Sequence, residues 1–176
     1  MSALDDIAWT LNLRGTDVHC NPVFVSYLVI EPEKAVLFIE ESKLTPAVSA
    51  YLESIPVALR PYEKVGNYLR KEYFAYNILL DPNETNSYLV ACAKEGRAAV
   101  VLTTSPIPEM KAVKNETEIQ GFHNAMKRDG VAMVKFLKWL IPAVKAGHET
   151  EISLDKKLTY LRSQQPLFRD SSFDTI

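Results

Sequence analysis

The sequence predicts an α/β fold, a mixed β-sheet covered by helices, followed by a helical C-terminal extension. Three observations carry this reading. Over the first two thirds of the chain, short apolar runs alternate with amphipathic stretches, the pattern of strands separated by covering helices. Two of the runs, 24–30 and 35–39, are joined only by Glu31-Pro32-Glu33-Lys34, short enough for a hairpin, which makes the sheet mixed and not purely parallel. Beyond residue 115, Ile119, Phe122, Met126, Met133, Leu137, Leu140 and Val144 trace one apolar stripe over about seven helical turns.

The elements follow in order. Residues 7–13 read as a strand ended by the Arg14-Gly15-Thr16-Asp17 cluster, and 24–30 and 35–39 as the two arms of the hairpin. Thr45 caps a helix with Pro46 at its first position, where Val48, Tyr51 and Leu52 share a face. Residues 55–59 form a short extended piece, and Pro61 opens a helix carrying Val65, Tyr68 and Leu69. Residues 77–80 are a strand stopped by Asp81-Pro82-Asn83; Thr85 or Asn86 caps the next helix, which Gly96 stops; 98–102 are a last strand. Two prolines in Ser105-Pro106-Ile107-Pro108 favour an extended linker. Asn115 with Glu118 three residues on is an N-cap signature for the long helix, which crosses Pro142 and ends at Gly147. Ser153 caps a further helix bearing Leu154, Leu158 and Leu161, and 172–176 read as a strand beginning. Two strongly amphipathic helices and an unfinished strand call for more apolar surface than they offer each other, so we expect the chain to be a piece of a longer protein.

Composition narrows function mainly by exclusion. The 176 residues are 47% hydrophobic and 24% charged with a formal charge of -2, which gives no electrostatic case for nucleic acid or anionic lipid. Met1 is followed by Ser2, Ala3 and the acidic pair Asp5-Asp6, not by a basic and then apolar leader, and no apolar run approaches the ~20 residues of a membrane span. The two cysteines, Cys20 and Cys92, form no CxxC pair, the usage of a reduced, cytoplasmic chain. His19, His123 and His148 fall in a loop, on the long helix and at its end, and none forms a helical metal-binding pair. His19 and Cys20 are adjacent in a turn-rich loop, whereas Cys-His catalytic pairs come from distant segments; a surface histidine beside a half-buried thiol is the better reading. There is no GxSxG, GxGxxG or Walker A pattern. The residues alone therefore give an α/β domain with a helical extension and no active site.

Two stretches add to this. Asp6-Ile7-Ala8-Trp9-Thr10-Leu11-Asn12-Leu13-Arg14-Gly15-Thr16-Asp17-Val18, followed by Asn21-Pro22-Val23-Phe24, resembles the opening of the second domain of the aminopeptidase P family. Ser105-Pro106-Ile107-Pro108, Lys111-Ala112-Val113-Lys114-Asn115-Glu116-Thr117-Glu118-Ile119, Arg128-Asp129-Gly130-Val131-Ala132 and Phe136-Leu137-Lys138-Trp139-Leu140 resemble that family's interdomain linker and first catalytic-domain helix. Leu80-Asp81-Pro82-Asn83 and Ser172-Phe173-Asp174-Thr175-Ile176 fit as well, so the resemblance runs almost end to end.

The resemblance implies a creatinase/prolidase N-terminal domain with a ribonuclease H-like motif over 1–104, a linker over 105–114, and over 115–176 the truncated start of a pita-bread catalytic domain. It implies a parent that removes the N-terminal residue from peptides with proline second, using two Mn²⁺ ions held by two Asp, one His and two Glu of the catalytic domain. All of these follow the last residue here, so no catalytic or metal residue and no cofactor is carried over, and the chain alone is expected to be inactive. The expected partners are the remaining catalytic domain, proline-containing peptides for the parent, and a second copy in a homodimer. Arg14 and Asp17, in the loop after the first element, are the candidates for shaping a substrate entrance, set against a structural Arg-Asp pair that steadies the turn. The rival reading is a free-standing interaction module of the same fold.

Overall fold

The computed structural model describes residues 1–173, which fall into two compact units that divide between Ala112 and Val113. The first is mixed α/β as expected. It contains helix α1 (Leu4–Thr10), strands β1 (Tyr27–Ile30) and β2 (Ala35–Ile39), helix α2 (Pro46–Glu53), strand β3 (Val57–Pro61), helix α3 (Val65–Glu72), strand β4 (Asn77–Leu80), helix α4 (Ser87–Glu95), strand β5 (Ala99–Leu102) and helix α5 (Ile107–Ala112). The strands are divided between two small sheets, one ordered β1-β2-β3 and one pairing β4 with β5. β1 and β2 form the antiparallel hairpin, with Val29 opposite Val36, while β3 joins β2 in parallel and β5 joins β4 in parallel.

β2 explains why Ala35-Val36-Leu37-Phe38-Ile39 is apolar without interruption. Alternate side chains enter two different cores: Leu37 and Ile39 pack with Ile7, Leu11, Leu28 and Leu52, and Val36 and Phe38 pack with Val65, Leu69, Leu89 and Cys92. A strand covered on both faces has no polar side to show. Each of these large side chains contributes about 1.5–3 kcal/mol by leaving water.

Residues 7–13 are not a strand. Ile7, Ala8 and Leu11, all under 5% exposed, share a face at helical spacing, whereas strand alternation would have turned Ala8 outward with Thr10. Asp5 and Asp6 lie in the first turn, where the helix dipole favours negative charge, and Asn12 at φ 49° turns the chain away after the last turn. The prolines of 105–108 likewise do not hold an extended linker. Ser105 Oγ accepts from the Ile107 N–H at 3.3 Å and Pro108 sits in the first turn of α5, where its missing donor costs nothing. Lys111 of α5 donates to both Asp5 and the buried Asp6 of α1. Pro61 closes β3 instead of opening a helix, and a 3₁₀ turn over Tyr62–Lys64 separates it from α3.

The second unit holds α6 (Glu116–Ala146) and α7 (Glu151–Ser163). Asn115 and Glu118 close a reciprocal capping box at 2.9 Å in each direction, and Gly147 ends α6 at φ 78°. The cap of α7 is Thr150 and not Ser153; Ser153 occupies the third helical position and returns the second bond of the box. Arg162 of α7 donates to Asp129 of α6 at 2.7 Å. The stripe is largely open to solvent, with Phe122, Met126, Leu137 and Val144 all more than half exposed. Among the described residues no helix is long and apolar enough to cross a membrane. The strand expected over 172–176 lies in part outside the described residues; Ser172 and Phe173 are in a bend.

Candidate functional site

The segment leaving α1 doubles back on the stretch that leads into β1. Gly15 donates its N–H to Pro22 O and Asp17 donates its N–H to Val23 O, both at 3.2 Å. A Cβ on Gly15 would stand 2.7 Å from Phe24 Cβ and 2.8 Å from Val23 O, so only glycine allows this approach.

Arg14 and Asp17 are both fixed on this loop, but not by each other. Arg14 Nη1 donates to Ala8 O at 3.0 Å and to Leu13 O at 2.8 Å, placing a cation against carbonyls at and just beyond the C-terminal end of α1. Asp17 Oδ2 accepts from Lys43 Nζ and from the Val25 N–H, each at 2.6 Å. Lys43, on a 3₁₀ turn after β2, is the partner that sequence reading missed. The two residues are 26 positions apart and no local pattern joins them. The hydrogen bond from Lys43, with that from Val25, holds the Asp17 carboxyl below its ordinary 3.8.

A cavity of about 200 Å³ opens here, in which buried Phe24, Leu37 and Ile39 line the wall alongside Arg14, Asp17 and Lys43. Its chemistry is that of binding and not of bond cleavage. Asp17 is an ionised carboxylate already committed to a lysine and a backbone donor, which makes it a poor general base. Among the described residues the guanidinium of Arg14 uses only Nη1 on the protein, leaving Nε and Nη2 to solvent or to a carbonyl or carboxylate brought to the loop.

The remaining candidates do not converge on it. Asn21 donates to Val18 O at 3.2 Å, closing a turn with His19 and Cys20 at its centre and Cys20 at φ 58°, as at the third position of a type II turn. Cys20 is half-buried, and Cys92 is fully buried in the core. His123 lies on α6 and His148 beyond its end, both exposed. Among the described residues no group of three or more His, Cys, Asp or Glu is arranged to hold a metal ion. A further polar cluster lies elsewhere in the first unit: Glu31 accepts from Tyr68 at 2.8 Å and Tyr73 at 2.5 Å, and burial together with this carboxylate raises the Tyr73 phenol far above its ordinary value. It reads as a half-buried strut.

Against known proteins, residues 1–118 match the Creatinase/Prolidase N-terminal domain. The whole chain is 43% identical over 182 residues to Xaa-Pro aminopeptidase 1 of Dictyostelium discoideum, of which it covers 28%, and 35% identical over 205 residues to aminopeptidase P2 of Arabidopsis thaliana, of which it covers 29%. Among solved structures it is similar to the X-prolyl aminopeptidase of Caenorhabditis elegans, described as a cytosolic enzyme with a di-nuclear active site. That match has a TM-score of 0.87 and 34% identity, and covers 98% of this chain and 29% of that one. The chain thus spans less than a third of the length of these relatives.

Proposed function

We propose, because the chain belongs to the Creatinase/Prolidase N-terminal domain family, that it is a non-catalytic portion of an Xaa-Pro aminopeptidase. The observation that carries this is the end-to-end match of all 176 residues to less than a third of enzymes of that name. The parent is a metal-dependent hydrolase that removes the residue preceding a penultimate proline, works in the cytoplasm as a homodimer, and uses two divalent ions, Mn²⁺ in our reading. Those ions would supply a bridging hydroxide and polarise the scissile carbonyl. The described residues of this chain offer no cluster that fits such ions, so no step of that chemistry is routed through them.

What this chain contributes is architecture. Residues 1–104 form the creatinase-like domain, 105–114 the connection and 115–176 the start of the catalytic domain. The loop of Arg14 and Asp17 is well suited to the edge of a substrate entrance. It is held by hydrogen bonds to α1 and to the stretch before β1, it holds unused guanidinium donors toward solvent, and it borders a cavity with an apolar wall. A peptide presents carbonyls and apolar side chains, the two chemistries this loop can meet.

Two assays test the reading. The purified 176-residue chain, incubated with an Xaa-Pro peptide and Mn²⁺, is expected to release no N-terminal residue; metal-dependent release would overturn the non-catalytic assignment. In the full-length protein, Arg14→Ala is expected to lower kcat/KM several-fold with little change in thermal stability. An unchanged kcat/KM ends the entrance role and leaves the family assignment standing.

A further inference from the structure

The cavity beside the Arg14–Asp17 loop brings three chemistries together: an apolar wall, a cationic fork and a carboxylate oxygen. Phe24, Leu37 and Ile39 of its wall belong to the core of the first unit, and Leu13, Leu44 and Val48 pack against that same core. Leu37 is fully buried, so the cavity reaches down to the sheet. Its volume of about 200 Å³ lies below the range of about 300–1,000 Å³ usual for drug-sized ligands and cofactors, which points to a smaller occupant.

The two polar groups are each pinned on one side and unused on the other. Arg14 is anchored through Nη1 to the Ala8 and Leu13 carbonyls, and its Nε and Nη2 make no hydrogen bond among the described residues. Those two donors lie along one edge of the guanidinium, the fork that takes a carboxylate by two parallel hydrogen bonds. Asp17 commits Oδ2 to Lys43 and to the Val25 N–H, and its Oδ1 accepts no hydrogen bond among the described residues. The same two donors keep the carboxyl ionised at neutral pH, so Oδ1 can accept from an ammonium. Of the lining residues Arg14 and Lys43 are cationic and Asp17 anionic; with Lys43 set against Asp17, the guanidinium is the charge still to be matched.

We propose that this cavity binds a free α-amino acid with a branched aliphatic side chain, leucine or isoleucine. The carboxylate takes the Nε–Nη2 edge of Arg14, the ammonium donates to Asp17 Oδ1, and the side chain enters the space above Leu37. An α-amino acid joins its two charges through a single carbon, and the fork and the acceptor that match them stand three residues apart on one loop closed at Gly15. Both are already fixed by bonds to the protein, so little side-chain freedom is lost on binding. The C-terminus of a peptide offers the carboxylate without the ammonium, and an aliphatic amine offers the reverse. Binding here does not depend on the peptidase reading and is measured without activity. In the parent proposed above, free amino acids are a released product, and one seated at Arg14 takes the donors offered to an incoming peptide.

The test titrates L-leucine into the 176-residue chain and follows backbone amide shifts by NMR. Saturable shifts are expected at Gly15, Asp17 and Val48, with half-saturation at about 1 mM, ordinary for so small a ligand. On the same unaltered protein, isopentylamine lacks the carboxylate, N-acetyl-leucine lacks the ammonium and glycine lacks the side chain. Each is expected to bind at least about tenfold more weakly, because each leaves one of the three partners unmet. Arg14→Lys keeps a cation beside the Ala8 and Leu13 carbonyls but loses the fork, and should weaken leucine by a similar factor. No saturable shift at the loop up to about 20 mM leucine overturns the proposal. N-acetyl-leucine binding as tightly as leucine overturns it too, in favour of a peptide C-terminus, and equal binding of isopentylamine removes the role of Arg14. None of these failures touches the aminopeptidase reading.

Discussion

Gly15 and Gly130 make a matched test of the packing described here, because the same substitution should act on them with opposite sign. At Gly15 an added methyl meets Phe24 Cβ at 2.7 Å and Val23 O at 2.8 Å, where carbon atoms normally rest about 3.5–4.0 Å apart. Neither neighbour can yield cheaply: Phe24 is 6% exposed in the core, and Val23 O is held by the Asp17 N–H. Forcing a methylene-sized group into such a contact costs about 1–3 kcal/mol. Gly130 lies in the interior of α6 with no heavy atom within 4 Å of the added position, so alanine there should gain about 0.5–1 kcal/mol by restricting the unfolded chain. For a chain of this size 1 kcal/mol moves the midpoint by about 2–4 °C. Thermal unfolding followed by far-UV circular dichroism should therefore show Gly15→Ala melting about 2–12 °C lower and Gly130→Ala about 1–4 °C higher. A Gly15→Ala protein as stable as the parent chain would refute the close loop approach, and a destabilised Gly130→Ala would refute the open helix face.

Two further predictions concern the loop and the core. Because Lys43 and Val25 depress the Asp17 carboxyl, the pair stabilises the fold above pH 3.8, and that contribution is lost as the pH falls through the lower folded-state value. Carboxyl NMR should place the Asp17 midpoint below 3.8 and Lys43→Met should move it upward; an unmoved midpoint would remove Lys43 as the cause. Phe38 is fully buried with its ring edge-on to Tyr68 at 5.2 Å, so Phe38→Ala should cost about 3–5 kcal/mol in denaturant unfolding. A loss under 1 kcal/mol would mean that β2 is not the shared wall of two cores.

Legibility in the sequence followed the range of the forces involved. Caps are decided within four residues: Thr45 and the Asn115–Glu118 box stand where the sequence places them, and of the two caps it offers for α4, Thr85 and Asn86, the structure uses Asn86. The uninterrupted apolar run of β2 and the four-residue link before it were equally local signals. The failures were also local in form. Residues 7–13 carry an apolar run too short for periodicity to separate strand from helix, and the burial of Ile7, Ala8 and Leu11 against β1 and β2 settles it. The prolines at 106 and 108 forbid a helix interior but not a helix start, and Lys111 on the carboxylates of α1 holds that start in place.

The candidate site divides the same way. Loop geometry at Arg14 and Asp17 could be read from Gly15 and the polar cluster around it, yet the pairing of Asp17 with Lys43 could not, because it joins segments 26 residues apart. By itself the sequence determined the α/β class, most strands and caps, and a resemblance that family membership later supported, since each rests on neighbouring residues or on a string of them. Only the tertiary structure decided that α1 is a helix, that Lys43 and not Arg14 holds Asp17, and that the strands part into two sheets. Those outcomes depend on which distant surfaces exclude water together, and no short window of sequence contains both partners.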